Sequence, residues 1–236
     1  MKQEAHCFRQ WVVHWVPSVY KAAFQKVIRK DKKGRIILKH SVKQIVLASG
    51  SPRRIQILRD HGVAAEIIRP EVDETLPGDL SMEQAVMYLA LKKALHGEAL
   101  LKAQGKSGLI IAADTVVYKD RIIGKPVDEA DAKNILRALC GSHHIVATGV
   151  ALVETGSVIR KIFLETTKVF FKGYSDKAID EYIATGEVWD KAGGYAIQGG
   201  FAPYVDHIEG DYDNVVGFPW TRIREELAGI GYEIPG

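Results

Sequence analysis

From residue 44 onward, short apolar runs alternate with stretches of helical period, and few folds accommodate that alternation. It predicts an α/β class of fold, with α+β as the neighbouring possibility. Strands are expected at 44–48, 65–69, 109–113, 115–118, 121–123, 144–153, 157–171, 204–207 and 215–217. Tight turns at Lys119-Asp120 and Thr155-Gly156 would join several of them, so the sheet should be mixed rather than purely parallel. Helix ends are marked as well. Ser81 with Gln84 forms a capping-box pattern opening a helix to about Glu98, and Asp128 caps another that stops at Gly141. Ser175 and Gly186 bracket a third helix, and Pro219 suits the first turn of a fourth ending near Gly229.

With 236 residues and 26.1 kDa, the chain can bury a sizeable core without covalent staples. Cys7 and Cys140 stand far apart with no metal-ligand spacing, which suggests two free thiols in a reducing compartment and argues against structural zinc. No apolar run approaches the ~20 residues of a membrane span, and no export leader is legible, so a soluble cytoplasmic protein is expected. The net charge of +3 is unevenly distributed. Residues 1–43 carry eleven Lys or Arg against Glu4 and Asp31, leaving the body from 44 to 236 acidic on balance and without general attraction for nucleic acid. The basic head reads as an amphipathic appendage, an upstream extension from a misassigned start, or a membrane-surface or targeting segment, and no chemistry is assigned to it.

The segment Ile45-Val46-Leu47-Ala48-Ser49-Gly50-Ser51-Pro52-Arg53-Arg54 leads from a strand through a small-residue turn into a helix. Ser51 falls at the N-cap and Pro52 at the first helical position, which puts Arg53 and Arg54 beside backbone N–H groups at the positive helix end. That combination suits phosphate, the alternative being an ordinary capped helix with two solvated arginines. Leu109-Ile110-Ile111-Ala112-Ala113 is too apolar to be anything but buried, and Asp114 closes it. A buried carboxylate requires a cation or hydrogen-bonding partner, and at a strand end Asp114 could bind a divalent metal, accept a proton from water, or mark a structural turn.

Lys125 lies between Gly124 and Pro126, where a constrained backbone can aim its ammonium, and Lys93 on the capped helix offers a second cation. Either could equally be solvated, as could the charge run Glu71, Asp73 and Glu74. Glycines 193, 194, 199 and 200 allow close backbone approach to a ligand, and Gln198 carries an amide able to read a base edge, unless the stretch is a plain surface loop. Gly105-Lys106-Ser107 lacks the first glycine of a Walker loop, no GxGxxG follows a strand, and His143-His144 has no second ligand pair, so phosphate would be handled on another scaffold.

Taken together, the run from Leu47 to Arg54, Ala113-Asp114-Thr115, Gly124-Lys125-Pro126, Gly141-Ser142-His143 and the run from Asp190 to Gly199 closely resemble the Maf family of nucleotide pyrophosphatases. The five motifs occur in the family's order and span about residues 44–229. The resemblance implies an elongated two-lobed mixed α/β fold with a cleft, and metal-dependent cleavage of a nucleoside triphosphate between its α and β phosphates, with Mg²⁺ or Mn²⁺ as cofactor. By the same resemblance Asp114 is the proton-accepting residue, and Ser51, Arg53, Arg54, Glu74, Lys93 and Lys125 are polar cleft residues. Asp114 and Glu74 are the candidate metal ligands. Arg53, Thr115 and Gln198 match the branch acting on dTTP and UTP, although the 70–75 loop looks more like the branch acting on 7-methyl-GTP. Lys92 stands where relatives often carry glutamate, and a homodimer is a further expectation. A different reading is a non-catalytic regulator of septum formation that binds nucleotide or nucleic acid through its basic head.

Overall fold

The computed structural model of the protein describes residues 29–30, 36–37, 44–232 and 234. Within the head, Arg29–Lys30 (β1) pairs antiparallel with Ile36–Ile37 (β2), and the three readings of that segment otherwise lie outside the described residues. The body runs β3 (Ile45–Ala48), α1 (Pro52–Asp60), β4 (Ala65–Ile68), α2 (Met82–Ala103), β5 (Leu109–Lys119), β6 (Arg121–Ile123) and α3 (Glu129–Leu139). It continues through β7 (His143–Glu154), β8 (Arg160–Phe171), α4 (Asp176–Ala184), β9 (Val205–Glu209), α5 (Tyr212–Val216) and α6 (Trp220–Gly229). Seven strands form one sheet in the order β4-β3-β5-β7-β8-β9, with β6 paired to β5. β3 is parallel to β4 and β5, while the other pairings are antiparallel, so the sheet is mixed as expected.

The helix starts follow their caps. Ser81 Oγ accepts from the Gln84 N–H while Gln84 Oε1 accepts from the Ser81 N–H, which satisfies two otherwise orphaned donors at the head of α2. Asp128 and Ser175 cap α3 and α4 with a single bond each, their side chains accepting from the Asp131 and Ala178 N–H groups. Three expectations need correction. The runs at 109–113 and 115–118 are a single strand, because β7 pairs with β5 continuously through Asp114 opposite Gly149; Asp114 therefore sits inside a strand. Residues 215–217 end a helix instead of forming a strand: Asp211 caps α5, and Gly217 at φ 100 closes it in the left-handed region. α2 extends past Glu98 to Ala103, since Leu101 still buries its side chain in the core.

The apolar run of β5 is continuous because both its faces are covered. Leu109, Ile111 and Ala113 pack with Leu47, Leu58, Trp220, Ile223 and Leu227 under α1 and α6. Ile110 and Ala112 face Val46, Ala90, Ala94 and Leu101 on the α2 side. Farther along the long strands a separate cluster joins Val117, Leu136, Leu139, Val169, Phe171, Ile179 and Phe201 beneath α3 and α4. The sheet thus carries separate apolar packing toward each end of its long strands, on both faces at the Leu109 end, which is the physical content of the two-lobed expectation.

One edge of β5 changes partner between those cores. β3 pairs with Leu109, Ile110 and Ile111, and β6 pairs with Val117, Tyr118 and Lys119. Residues 112–116 are left without a strand neighbour on that edge, forming a notch between the end of β3 and the end of β6. The turn into α1 leaves β3 at this notch, and the chain leaving β6 passes through Gly124 and Lys125 beyond the Val117–Ile123 pair.

Candidate active site

The notch lets a helix N-terminus meet a buried acid. Ser51 occupies the N-cap position of α1 but its hydroxyl makes no capping bond, and Pro52 sits at the first helical position. The first intrahelical bond of this turn runs from the Ile55 N–H to the Ser51 carbonyl, so the N–H groups of Arg53 and Arg54 have no helical partner. Ser49, not singled out from sequence, organises the turn: its hydroxyl accepts from the Ser51 N–H at 3.2 Å and from Arg54 Nη1 at 3.3 Å.

The two arginines behave differently. Arg54 spends its guanidinium on the protein, donating from Nη1 to the Ala113 carbonyl at 2.7 Å, from Nε to the Gly217 carbonyl at 2.8 Å and from Nη2 to Thr115 Oγ1 at 3.0 Å. It fills the unpaired β5 edge and fastens α1 to it. Burial draws its pKa down to about 10, opposed by the charge of Asp114, so it stays cationic at neutral pH. Arg53 makes no hydrogen bond among the described residues and faces the glycine-rich segment. A hydrogen bond from Lys191 holds the Asp190 carboxyl below its ordinary value, and the charge of Arg53 adds to that shift. The first and last of the five sequence motifs are thereby brought together.

Asp114 is paired as its burial requires. Lys93 Nζ lies 2.6 Å from Asp114 Oδ1 and 2.7 Å from Glu74 Oε1, with side-chain exposures of 13% for Lys93, 11% for Asp114 and 61% for Glu74. Lys92 donates to the Asp73 carbonyl, while Asp73 receives the Thr75 N–H and hydroxyl at 2.9 and 2.7 Å. The charge run at 71–75 is thus a folded turn held to α2 by adjacent lysines, which gives Lys92 a positional role. Gly149 makes this geometry possible: a Cβ there would lie 2.4 Å from the Val86 carbonyl carbon, so α2 approaches β7 to backbone contact opposite Asp114.

Lys125 is exposed and makes no ion pair among the described residues, but its loop is braced. The Gly193 N–H donates to the Gly124 carbonyl at 2.9 Å, tying the third motif to the fifth. Gln198 is exposed on a turn of the same glycine-rich segment, with no hydrogen bond among the described residues. Thr115, by contrast, is engaged, its hydroxyl lying 3.0 Å from Thr148 Oγ1 as well as from Arg54. Thr148 and Asn214 were not legible as site residues, and the available signals were a threonine inside the apolar run at 145–153 and an asparagine at the head of Val215-Val216. His143-His144 forms no ligand pair: His143 stacks on Phe170, and His144 is buried against Tyr195 OH at 2.7 Å.

A divalent cation can be tested against these residues. Among the described residues no cluster of three or more acidic, His or Cys side chains exists, yet Asp114 and Glu74 converge on one ammonium. Two carboxylates are a sufficient protein share for Mg²⁺, which commonly completes its shell with phosphate oxygens and water, so the donor set fits.

A mixed α/β sheet with a helix N-terminus, a lysine-paired acid and a braced glycine-rich loop at one edge notch defines a phosphate-handling α/β protein. The family model for Maf-like proteins matches residues 44–230, and the chain belongs to that family. It is 42% identical over 194 residues to the dTTP/UTP pyrophosphatase of Pelotomaculum thermopropionicum, covering 82% of this chain and 100% of that protein. It is 44% identical over 191 residues to the dTTP/UTP pyrophosphatase of Geobacillus sp., covering 81% of this chain and 100% of the relative. Among solved structures, a nucleoside-triphosphatase/dITP/XTP pyrophosphatase from Mycobacterium abscessus aligns at TM-score 0.37 and 15% identity, over 80% of this chain and 94% of that one, too distantly to carry an argument. Among the described residues no helix is long and apolar enough to cross a membrane.

Proposed function

We propose that the protein is a nucleoside triphosphate pyrophosphatase that hydrolyses dTTP and UTP to the monophosphate and pyrophosphate. The observation that carries this reading is the edge notch, where a helix N-terminus with two N–H groups that have no partner among the described residues adjoins Asp114 held by Lys93. The names of the relatives support the substrate class.

In this reading the N–H groups at the head of α1 and the side chain of Arg53 bind phosphate oxygens, with Ser51 Oγ as a further donor. Asp114 orients a water and takes its proton through the carboxylate oxygen that Lys93 does not hold. Lys93 keeps that carboxylate fixed, and Lys125 approaches the polyanion from the β6 side to neutralise the pyrophosphate as it leaves. Glu74 and Asp114 would hold a divalent cation, Mg²⁺ or Mn²⁺, which supplies further neutralisation of the triphosphate charge. Gln198 reads the pyrimidine edge from the glycine-rich turn, and Arg53 lies near base or sugar.

Activity resides in residues 44–236, which act as a cytoplasmic homodimer without a nucleic-acid partner. The test is pyrophosphate release from UTP, dTTP and 7-methyl-GTP by full-length and head-deleted protein, with Mg²⁺ and with EDTA. Rapid release from UTP and dTTP, abolished by EDTA, is the expected result. Preference for 7-methyl-GTP overturns the substrate assignment, and inertness toward all three overturns the enzyme.

A further inference from the structure

Behind the notch lies a closed ring of hydrogen bonds whose deeper members never reach the surface. Arg54 Nη2 donates to Thr115 Oγ1 at 3.0 Å, Thr115 Oγ1 lies 3.0 Å from Thr148 Oγ1, and Thr148 Oγ1 donates to the Asn214 carbonyl at 3.3 Å. The Gly217 N–H donates to the same Asn214 carbonyl at 2.9 Å, and the Gly217 carbonyl accepts from Arg54 Nε at 2.8 Å, closing the ring. Thr148 and Asn214 are both 0% exposed. Asn214 is pinned in turn, its amide donating to the Val146 carbonyl at 3.1 Å and to Thr167 Oγ1 at 3.0 Å.

The direction of the chain follows from its ends. A guanidinium only donates and a carbonyl only accepts, so Thr115 Oγ1 receives from Arg54 and its own proton goes to Thr148 Oγ1 at 3.0 Å or to the Gly217 carbonyl at 3.4 Å. The Thr115 proton is thus committed to an acceptor inside the protein. Any ligand meets Thr115 as an acceptor at most, which limits how far it reads a base directly. Gly217 is required in the same ring, since at φ 100 a Cβ would lie 3.0 Å from Thr115 Oγ1.

We propose that Thr148 and Asn214 are positioning residues for the pyrophosphatase reaction: through the Thr115 hydroxyl and the Gly217 turn they fix the guanidinium of Arg54, and with it the distance between the α1 N-terminus and Asp114. This rests on the pyrophosphatase reading above. Because the ring sets where the reacting groups stand, its loss should act on kcat more than on KM.

The test is steady-state UTP hydrolysis with Mg²⁺ by Thr148→Val and Thr148→Ser in the full chain. Thr148→Val keeps the shape and removes the hydroxyl. Its kcat should fall by about 10-fold or more with KM within about 3-fold of wild type, and Thr148→Ser should restore kcat to within about 3-fold, because the hydroxyl returns. In Thr115→Val/Thr148→Val, kcat should match that of Thr115→Val alone, since a broken chain cannot be broken twice. If Thr148→Val does not fold, Thr148→Cys, with its weak donor, enters the same comparison. An active wild type with unchanged kcat in folded Thr148→Val, a serine variant as impaired as the valine one, or multiplied losses in the double variant each overturn the positioning role alone. A wild type inert toward UTP and dTTP overturns the underlying function and this role with it.

Discussion

Lys93 on α2 and Asp114 on β5 approach to 2.6 Å, with both side chains largely buried. The pair joins a helix face to one of the long strands that run through both ends of the sheet. Asp114 is thereby kept as a fixed carboxylate beside the α1 N-terminus. The same ammonium holds Glu74, whose carboxylate is mostly in solvent, so a single cation organises an inner and an outer acid.

Replacing Asp114 with Asn preserves shape and removes the carboxylate proposed to accept the proton. Turnover of UTP should fall by roughly 10²-fold or more, with circular dichroism unchanged. Wild-type rates in Asp114→Asn would remove this residue from the chemistry.

Lys93→Met separates the two roles of the ammonium. Losing the cation leaves Asp114 buried without its charge partner, which should cost about 3 kcal/mol of stability, read by urea denaturation at neutral pH. An unchanged unfolding midpoint would show that the pair contributes little to the fold.

Arg54→Lys retains a charge but cannot reproduce four directed bonds, leaving the Ala113 and Gly217 carbonyls short of donors. A destabilisation of about 2 kcal/mol is expected, with a kcat loss larger than that of Arg53→Lys. Equal effects of the two substitutions would contradict the division of labour between strut and ligand.

Gly149→Val drives a branched side chain into the Val86 backbone, where even a Cβ would be 2.4 Å from the carbonyl carbon. Backbone cannot yield as a flexible side chain would, so the variant should be insoluble or unfold at a much lower temperature. Thermal unfolding within a few degrees of wild type would disprove the tight α2–β7 contact.

The pH dependence of stability should carry the signature of His144. Burial lowers its pKa from 6.5 to about 3, with the charge of Lys119 adding to the effect. Between those values the unfolded chain binds a proton that the folded protein refuses, so this contribution is complete above pH 6.5 and is lost as pH falls toward 3. The slope from this one site is at most about 1.4 kcal/mol per pH unit. His144→Gln should flatten the acid limb of a stability profile measured by chemical denaturation. An identical limb in the variant would mean that other groups govern acid unfolding.

Most of this architecture is legible in the sequence, because its signals are local. Ser81 with Gln84, Asp128 and Ser175 mark helix starts through bonds spanning three residues. The continuous apolar run of β5 announced burial. The failures arose where local signals were silent. Asp114 read as the end of a strand because a charge interrupts an apolar run, whereas β7 carries the pairing straight through it. Residues 215–217 read as a strand because two valines favour one, and a side-chain cap from Asp211 won over that preference.

The sequence alone determined most of the element order, the buried run that carries Asp114 and the strand-to-helix turn at 49–54, since caps, periods and turn residues act within a few positions. Only the tertiary structure decided which polar groups are spent and which are available. Arg53 and Arg54 are neighbours of identical chemistry, yet Arg54 is consumed by partners 59, 61 and 163 residues away. Those partners meet it because one edge of β5 exchanges β3 for β6 and leaves a gap that the guanidinium fills. Strand register over such separations depends on the packing of the whole sheet, and no local pattern encodes it.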